Sequence, residues 1–200
     1  MLHERLAKQI EFIKEIDKLK YITRKTKLFN SDRHENDAEH SWHLAMMVLV
    51  LSEYANESID LLKVLKMVLI HDIVEIDAGD TFLFDNNKDH SNTDEELKAA
   101  KRIFGLLPKE QGKELVEIWE EFEAGITKES KFAKAIDRLE PILQNTTNNG
   151  GTWAEFNVSY ETVKEKKRGI KEGSEVLWGY AQDLLNKSVQ QGILKMKGTD

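Results

Sequence analysis

Four ionisable side chains follow a long apolar stretch of the sequence. The segment LIHDIVEIDAGD places His71, Asp72, Glu75 and Asp80 directly after a run of leucine, valine and isoleucine. Burying such groups is costly unless they are paired or bind a metal. On a helix, Glu75 lies one turn beyond His71 and Asp72, so the three side chains share a face. Imidazole and carboxylate both bind divalent cations, so this face could form a metal site, although a structural or surface role stays open for this segment alone.

Two further segments supply candidate ligands. ENDAEHSWH places His40 in the first turn of an apolar helix and His43 three residues later, and either histidine could be the ligand. FAKAIDRLEP places Asp137 within another apolar helix, where an ion pair with Arg138 is the alternative. Pro141 lacks the N–H that would bond the carbonyl of Asp137. We therefore expect a bend that aims this carboxylate into a cavity.

Amphipathic helices are predicted to position these side chains. Apolar residues recur at helical spacing, and strand alternation is nowhere convincing, so the chain is predicted to be all-α. The first helix is expected from His3 to Lys20, and the second begins at an N-cap at Asp37. A central apolar helix then stops near Gly79, and a capping box of Thr93 and Glu96 opens the next helix. Another helix has its first turn at Pro108 and stops at Gly125, and the helix after it begins at Thr127.

Composition limits the classes of function. The 200 residues predict one domain over residues 1–200 with a sizeable core. No apolar run is long enough to predict a membrane span, and the lack of cysteine fits a reducing cytoplasm. The net charge of −7 argues against nucleic acid and anionic membranes as partners, while a local basic pocket stays possible.

The motifs resemble those of the HD-domain metal-dependent phosphohydrolases, and within them the 5'-nucleotidase-like group. The matching segments are RHENDAEHSWHLA, HDIVEIDAGD and DRLEPILQN followed by GGTW, and the likeness extends from Arg24 to Trp153. The resemblance implies an HD-domain helical bundle that binds one divalent metal ion, which could be Mn, Co, Fe, Zn or Mg. The metal ligands that it implies are His40, His71, Asp72 and Asp137.

The same resemblance implies the remaining roles in the site. Glu75 and Asp80 act in catalysis beside the metal ligand Asp72, and both also contact the substrate. Arg24, in YITRKT, binds the phosphate, and His43 lies outside the metal ligands. The loop at residues 81–92 follows Asp80 directly and is either a lid over the substrate or an ordinary surface loop.

The implied activity is hydrolysis of (deoxy)ribonucleoside 5'-monophosphates to nucleoside and phosphate. Lys25 stands where bacterial deoxynucleotidases of this group carry a tryptophan, so the preference for deoxyribose stays open. The alternatives are a cyclic-nucleotide or other phosphodiesterase and a non-catalytic nucleotide-binding module. Two-metal phosphodiesterases of this superfamily need further histidines between Asp72 and Asp137, where only His90 occurs.

HD proteins of this type are commonly dimers, so the resemblance also implies a homodimer. The predicted last helix carries apolar residues that could pack in the core or at such an interface, namely Leu177, Tyr180, Leu184 and Leu185.

Overall fold

Helices joined by short turns and one β-hairpin make up the computed structural model, which describes residues 2–79, 83–84 and 93–198. The helices are α1 (Leu2–Ile16), α2 (Asp37–Leu51), α3 (Leu61–Ile70), α4 (Glu75–Ala78), α5 (Thr93–Phe104), α6 (Lys109–Ala124), α7 (Lys128–Thr147), α8 (Gly151–Glu155), α9 (Tyr160–Lys167), α10 (Ile170–Gly173) and α11 (Glu175–Gln190). The strands are β1 (Thr23–Lys27) and β2 (His34–Asn36), and 3-10 helical turns cover Asp17–Tyr21, Ser52–Tyr54 and His71–Val74.

The longest helix, α7, lies at the centre of the bundle and packs against α2, α3, α6, α10 and α11. Its apolar face is spaced at three and four residues, and Phe132, Ile136, Leu139 and Ile142 are all at most 1% exposed. This spacing is the pattern of one buried helical stripe. The polar residues of α7 that face the same interior are therefore held in a rigid setting.

The prediction of an all-α protein is confirmed, since 74% of the structure is helical. The antiparallel pair of β1 and β2 was not predicted, because β1 reads TRKTK and has no apolar alternation. Contacts from later in the chain hold this hairpin: Thr152 Oγ1 donates to the carbonyl of Lys25, and the amide of Asn148 donates to the carbonyls of Leu28 and Ser31.

The start of α2 differs by one residue from the prediction. Asn36, and not Asp37, is the N-cap, because its side chain accepts a hydrogen bond from the backbone N–H of Glu39 at 3.0 Å. The Glu39 carboxylate accepts the backbone N–H of Asn36 in return, at 3.2 Å, which completes a capping box. Asp37 is then the first residue of the helix and is fully buried, so its carboxylate is available for contacts inside the protein.

The helix predicted to continue to Gly79 is divided into three parts. α3 ends at Ile70, a 3-10 turn covers His71–Val74, and α4 ends before Gly79, which has a φ of 75° that suits glycine. Side chains three residues apart align in a 3-10 turn. Asp72 and Glu75 therefore share a side, although not through the continuous α-helix that was expected.

Most other predicted helix ends agree with the structure. Thr127 caps α7, and Gly125 ends α6 in the left-handed conformation, whereas Pro108 is the N-cap of α6 and lies just before its first turn. α7 stays helical through Pro141, and the bend expected there stays a prediction. The side chain of Thr93, and with it the predicted capping box, lies outside the described residues.

Among the described helices, none combines the length and the apolar character needed to cross a bilayer.

Gly173 allows close packing of α10 on α7, and this predicts opposite effects of two glycine substitutions. A methyl group at Gly173 would lie 2.7 Å from the Cα of Phe132, whereas one at Gly179 on α11 would meet no atom within 4 Å. Gly173→Ala should lower the free energy of unfolding by about 1–3 kcal/mol through overpacking. Gly179→Ala should raise it by about 0.5–1 kcal/mol through helix propensity. Urea denaturation of both variants checks this, and equal effects would contradict the packing.

Candidate metal centre

Three chain segments bring the predicted metal ligands together. His40 comes from α2, His71 and Asp72 come from the 3-10 turn after α3, and Asp137 comes from the middle of α7. One ligand atom from each of the first three residues lies within 4.8 Å of the other two. Oδ1 of Asp137 lies 3.1 Å from Nε2 of His40 and 3.8 Å from Nε2 of His71. The four donor groups therefore converge on one small region.

Contacts at the outer ring nitrogens favour a proton on Nδ1 of both histidines. Nδ1 of His71 lies 3.0 Å from the carbonyl oxygen of Val68. A carbonyl oxygen only accepts, so Nδ1 carries a proton, and in the neutral ring Nε2 presents a lone pair. Nδ1 of His40 faces Glu35 and Glu140 at 3.3 Å and 3.4 Å, and these carboxylates favour a proton on Nδ1 in the same way.

This donor set fits a divalent cation. Nε2 of His71 is buried and has no hydrogen-bond partner among the described residues. It lies 3.0 Å from Oδ1 of Asp72, so the neutral ring would direct a lone pair at a carboxylate oxygen in a nearly dry pocket. Such an arrangement is unfavourable unless a positive charge lies between the groups. Two imidazole nitrogens and two carboxylates are suitable ligands for Mn, Co, Fe, Zn or Mg, and the donor types do not choose among these metals.

The two carboxylates are held in their ionised form. Burial alone would raise the pKa of Asp137, but its hydrogen bond with His40 and the charge of His71 lower that pKa below its usual range. Burial also opposes ionisation of Asp72, and the charges of His71 and Arg24 outweigh it and lower the pKa of this group. Both side chains are therefore anionic at neutral pH, which is the state that binds a metal ion.

A second group of acids adjoins the centre and surrounds Arg24. Nη1 of Arg24 lies 2.8 Å from Oδ2 of Asp72 and 3.1 Å from Oδ1 of Asp37. Glu75 approaches the same acids, and burial, the charge of Asp72 and a hydrogen bond with Asp37 raise the pKa of its carboxyl group well above the usual range. Arg24 thus offsets part of the negative charge gathered here.

A cavity of about 270 Å³ opens beside Asp137 and Arg24. Its described lining has five cationic side chains and a single carboxylate, which is that of Asp137. This local positive charge contrasts with the net charge of −7 of the chain and favours an anionic ligand. The lining residues that carry polar groups are Arg24, Lys25, Thr26, Asp137, Arg138, Asn145, Thr152, Lys166 and Lys167.

Two other residues considered in the sequence analysis, His43 and Glu75, lie outside the set of four donors. His43 is not among the converging donors, and its Nδ1 lies 3.1 Å from Oε1 of Glu140. Glu75 contacts the acids around Arg24 and is not among the described residues that line the cavity.

Asp80 and most of the loop at residues 81–92 lie outside the described residues. Leu83 and Phe84 are the part of this loop that the structure describes, and both line the cavity. The predicted roles of Asp80 and of a lid stay predictions.

Sequence reasoning missed the acids behind His40. Glu35 is 1% exposed and Glu140 is fully buried, and the side-chain amide of Gln144 donates a hydrogen bond to each carboxylate. Burial and the charge of Arg24 oppose protonation of His40, yet its hydrogen bonds with Asp137 and these two acids outweigh them and raise the pKa of the imidazole. A sequence signal did exist, because Glu140 follows Asp137 by three residues and shares its helix face.

Comparison with protein families identifies the fold. A family model for the HD domain matches residues 16–178. The crystal structure of a predicted metal-dependent phosphohydrolase from Magnetospirillum magnetotacticum MS-1 superposes with a TM-score of 0.91, at 48% identity over 96% of each chain.

Curated relatives are similar over a shorter stretch. The chain is 32% identical to the human 5'-deoxynucleotidase HDDC2 over 136 residues, which are 68% of this chain and 65% of the human protein. The alignment thus spans slightly less than two thirds of that relative. The relative of the same name from Dictyostelium discoideum is 30% identical over 70% of this chain and 76% of its own length. Because the family model covers most of the chain, this protein belongs to the HD domain family.

Proposed function

We propose that this chain is a metal-dependent phosphomonoesterase that converts (deoxy)ribonucleoside 5'-monophosphates to nucleoside and phosphate. The observation that carries the proposal is the convergence of two imidazoles and two carboxylates at the edge of a cavity with a mainly cationic lining. Relatives named 5'-deoxynucleotidase support a nucleotide monoester as the substrate, and the similar bacterial structure supports phosphohydrolase chemistry.

In this proposal, His40, His71, Asp72 and Asp137 hold one divalent metal ion. When bound, such an ion supplies positive charge to the phosphate oxygens and lowers the pKa of water. Asp137 is the ligand that also lines the cavity, and its side chain is 29% exposed. The substrate phosphate therefore reaches the centre from the side of Asp137.

Three further residues have proposed roles in binding and proton transfer. Arg24 lines the cavity while Asp72 and Asp37 hold its guanidinium in place, so it can contact the phosphate from a fixed position. Glu75 adjoins the metal ligand Asp72 and can hold or transfer a proton. Asp80 is proposed, from the family resemblance alone, to contact the sugar or to assist the leaving oxygen.

The remaining expectations are also proposals. A homodimer is supported by the outer face of α2, where Trp42, Met46, Leu49 and Val50 are 42–65% exposed. On α11, in contrast, Leu177 and Leu185 are buried in the core, whereas Tyr180 and Val176 are exposed. A single HD domain over residues 1–200, a cytoplasmic location and the lack of a nucleic-acid partner are proposed on the composition of the chain.

Phosphate release from matched substrates tests the activity. The metal is removed by chelation, and Mn, Co, Fe, Zn and Mg are restored one at a time. Each form is assayed with ribo- and deoxyribonucleoside 5'-monophosphates, with 3'-monophosphates and with a cyclic nucleotide. We expect the chelated protein to be inactive and the restored protein to release phosphate from 5'-monophosphates. Cleavage of the cyclic nucleotide alone would identify a phosphodiesterase, and saturable binding without any cleavage would identify a binding module.

Substitution of Asp137 tests the proposed ligand set. Asp137→Asn keeps the shape of the side chain but removes its charge, so metal affinity should fall by at least ~100-fold, which is the upper end of the effect of losing a residue that only hydrogen-bonds a metal ligand. Phosphatase activity should fall with it, and the helical circular dichroism should persist. Metal content by mass spectrometry measures this, with the exposed Asp183→Asn on α11 as the matched control. Normal metal content in Asp137→Asn would exclude the residue as a ligand.

Glu75→Gln separates proton transfer from metal binding. Glutamine can keep a hydrogen bond with Asp37 but cannot exchange a carboxyl proton, so kcat should fall by about 10²–10⁴. Metal content should stay at the wild-type level because Glu75 is not a proposed ligand. Steady-state kinetics on the metal-loaded protein measures the change, and Glu120→Gln on the exposed side of α6 is the control. An unchanged kcat would remove Glu75 from the mechanism.

A further inference from the structure

Lys167 is a buried cation that none of the proposed roles uses. It is the last residue of α9, it is 5% exposed, and it lines the same cavity as Asp137 and Arg24. Lysine is almost never fully buried unless it is paired. Within the part of the chain that the structure describes, no carboxylate lies within 4.0 Å of its Nζ. Its charge therefore lacks a close partner in this part of the protein.

The groups around Lys167 explain why its charge is available to a ligand. Burial lowers the pKa of Lys167 to about 8, with attraction from Asp137 and Glu140 opposed by repulsion from Arg138 and Arg24. Asp137 already contacts His40 and is a proposed metal ligand, and Glu140 contacts both α2 histidines. These carboxylates thus already contact other groups that can carry positive charge. An anion in the cavity would give the Lys167 ammonium a close negative partner.

The other lysines of the cavity are placed differently. Lys25 is exposed. Lys166 donates a hydrogen bond to the carbonyl of Leu83, and its Nζ lies 5.7 Å from the centre of the Phe84 ring. Lys166 thus contacts the described part of the 81–92 loop, whereas Lys167 is buried and lines the cavity together with Asp137.

We propose that Lys167 is a further substrate-binding residue, whose ammonium contacts the phosphate from the α9 side of the cavity while Arg24 contacts it from the β1 side. The inference rests on the proposed function and extends its substrate site to a residue far along the chain. Phosphate carries negative charge on several oxygens, and that charge is spread over the equatorial oxygens during transfer. A fixed cation at this position would stabilise it in a partly dry cavity.

Direct phosphate binding tests this inference independently of turnover. The affinity of the metal-loaded protein for inorganic phosphate is measured by calorimetry in the wild type, Lys167→Met and Lys167→Arg. The control is Lys171→Met, an exposed lysine on α10. We expect Lys167→Met to bind phosphate at least ~10-fold more weakly, Lys167→Arg to recover part of the affinity, and Lys171→Met to match the wild type. Metal content should be equal in all four proteins.

Kinetics and chemical protection complete the test. In Lys167→Met, kcat/KM for nucleoside 5'-monophosphates should fall by about 10²-fold, the loss typical of one fixed donor at a charged transition state. In the unmodified wild type, inorganic phosphate should slow acetylation of Lys167, but not of Lys171, as measured by mass spectrometry. This arm needs no substitution and therefore holds even if a variant folds poorly.

The outcomes separate this inference from the proposed function. Unchanged phosphate affinity and kcat/KM in Lys167→Met, or acetylation of Lys167 that phosphate does not slow, would overturn the role of Lys167 alone. A wild type that cleaves no nucleotide would overturn the proposed function, while the phosphate-binding and protection arms would still decide whether Lys167 binds the anion.

Discussion

The structure depends on one electrostatic constraint: two imidazoles and two carboxylates are held close together in a nearly dry interior. Nε2 atoms of two histidines and the oxygens of Asp72 and Asp137 face one another at 3.0–4.0 Å, beneath the surface of the bundle. Desolvation of these groups is repaid only when positive charge lies among them. Arg24 supplies part of that charge from one side, and a divalent cation at the centre would supply the rest. The cationic cavity extends the same electrostatic pattern toward the solvent.

The architecture makes this arrangement rigid. α7 carries Asp137, Glu140 and Gln144 at intervals of three and four residues, so one helix face supplies a metal-ligand candidate, a carboxylate behind His40 and the amide that holds it. The apolar stripe of α7 packs beside this polar one, which fixes the rotation of the helix. The capping box at Asn36 makes Asp37 the first residue of α2. In that position the carboxylate of Asp37 accepts a hydrogen bond from Arg24.

The sequence predicted the helical class and the four donor residues that the structure brings together. These residues were recognisable because charged groups are costly to bury after an apolar stretch and because their order resembles that of a known family. The 3-10 turn at His71–Val74 was not, because the same apolar spacing also fits a continuous helix. The hairpin was missed because hydrogen bonds from α8 and the end of α7 hold its polar strands.

The acids behind His40 and the buried lysine of the cavity were harder to foresee for a different reason. Glu35, Glu140 and Lys167 look like ordinary charged residues in the sequence, and charged residues usually lie on solvated faces. Their burial follows from how α7, α9 and β2 pack around His40 and the cavity, which only a three-dimensional structure reveals. The corrected N-cap at Asn36 is a local example, since both Asn36 and Asp37 are suitable capping residues by type.

The distance along the chain between His40 and Asp137, 97 residues, has a thermodynamic consequence. The 200 residues contain no cysteine, so no disulfide links these segments. A cation held by both residues would act as a reversible cross-link that closes this long loop only in the folded state. By mass action, free metal at 100 times its dissociation constant would add about 2.7 kcal/mol to the free energy of unfolding. The melting temperature of this protein would then report on the metal concentration around it.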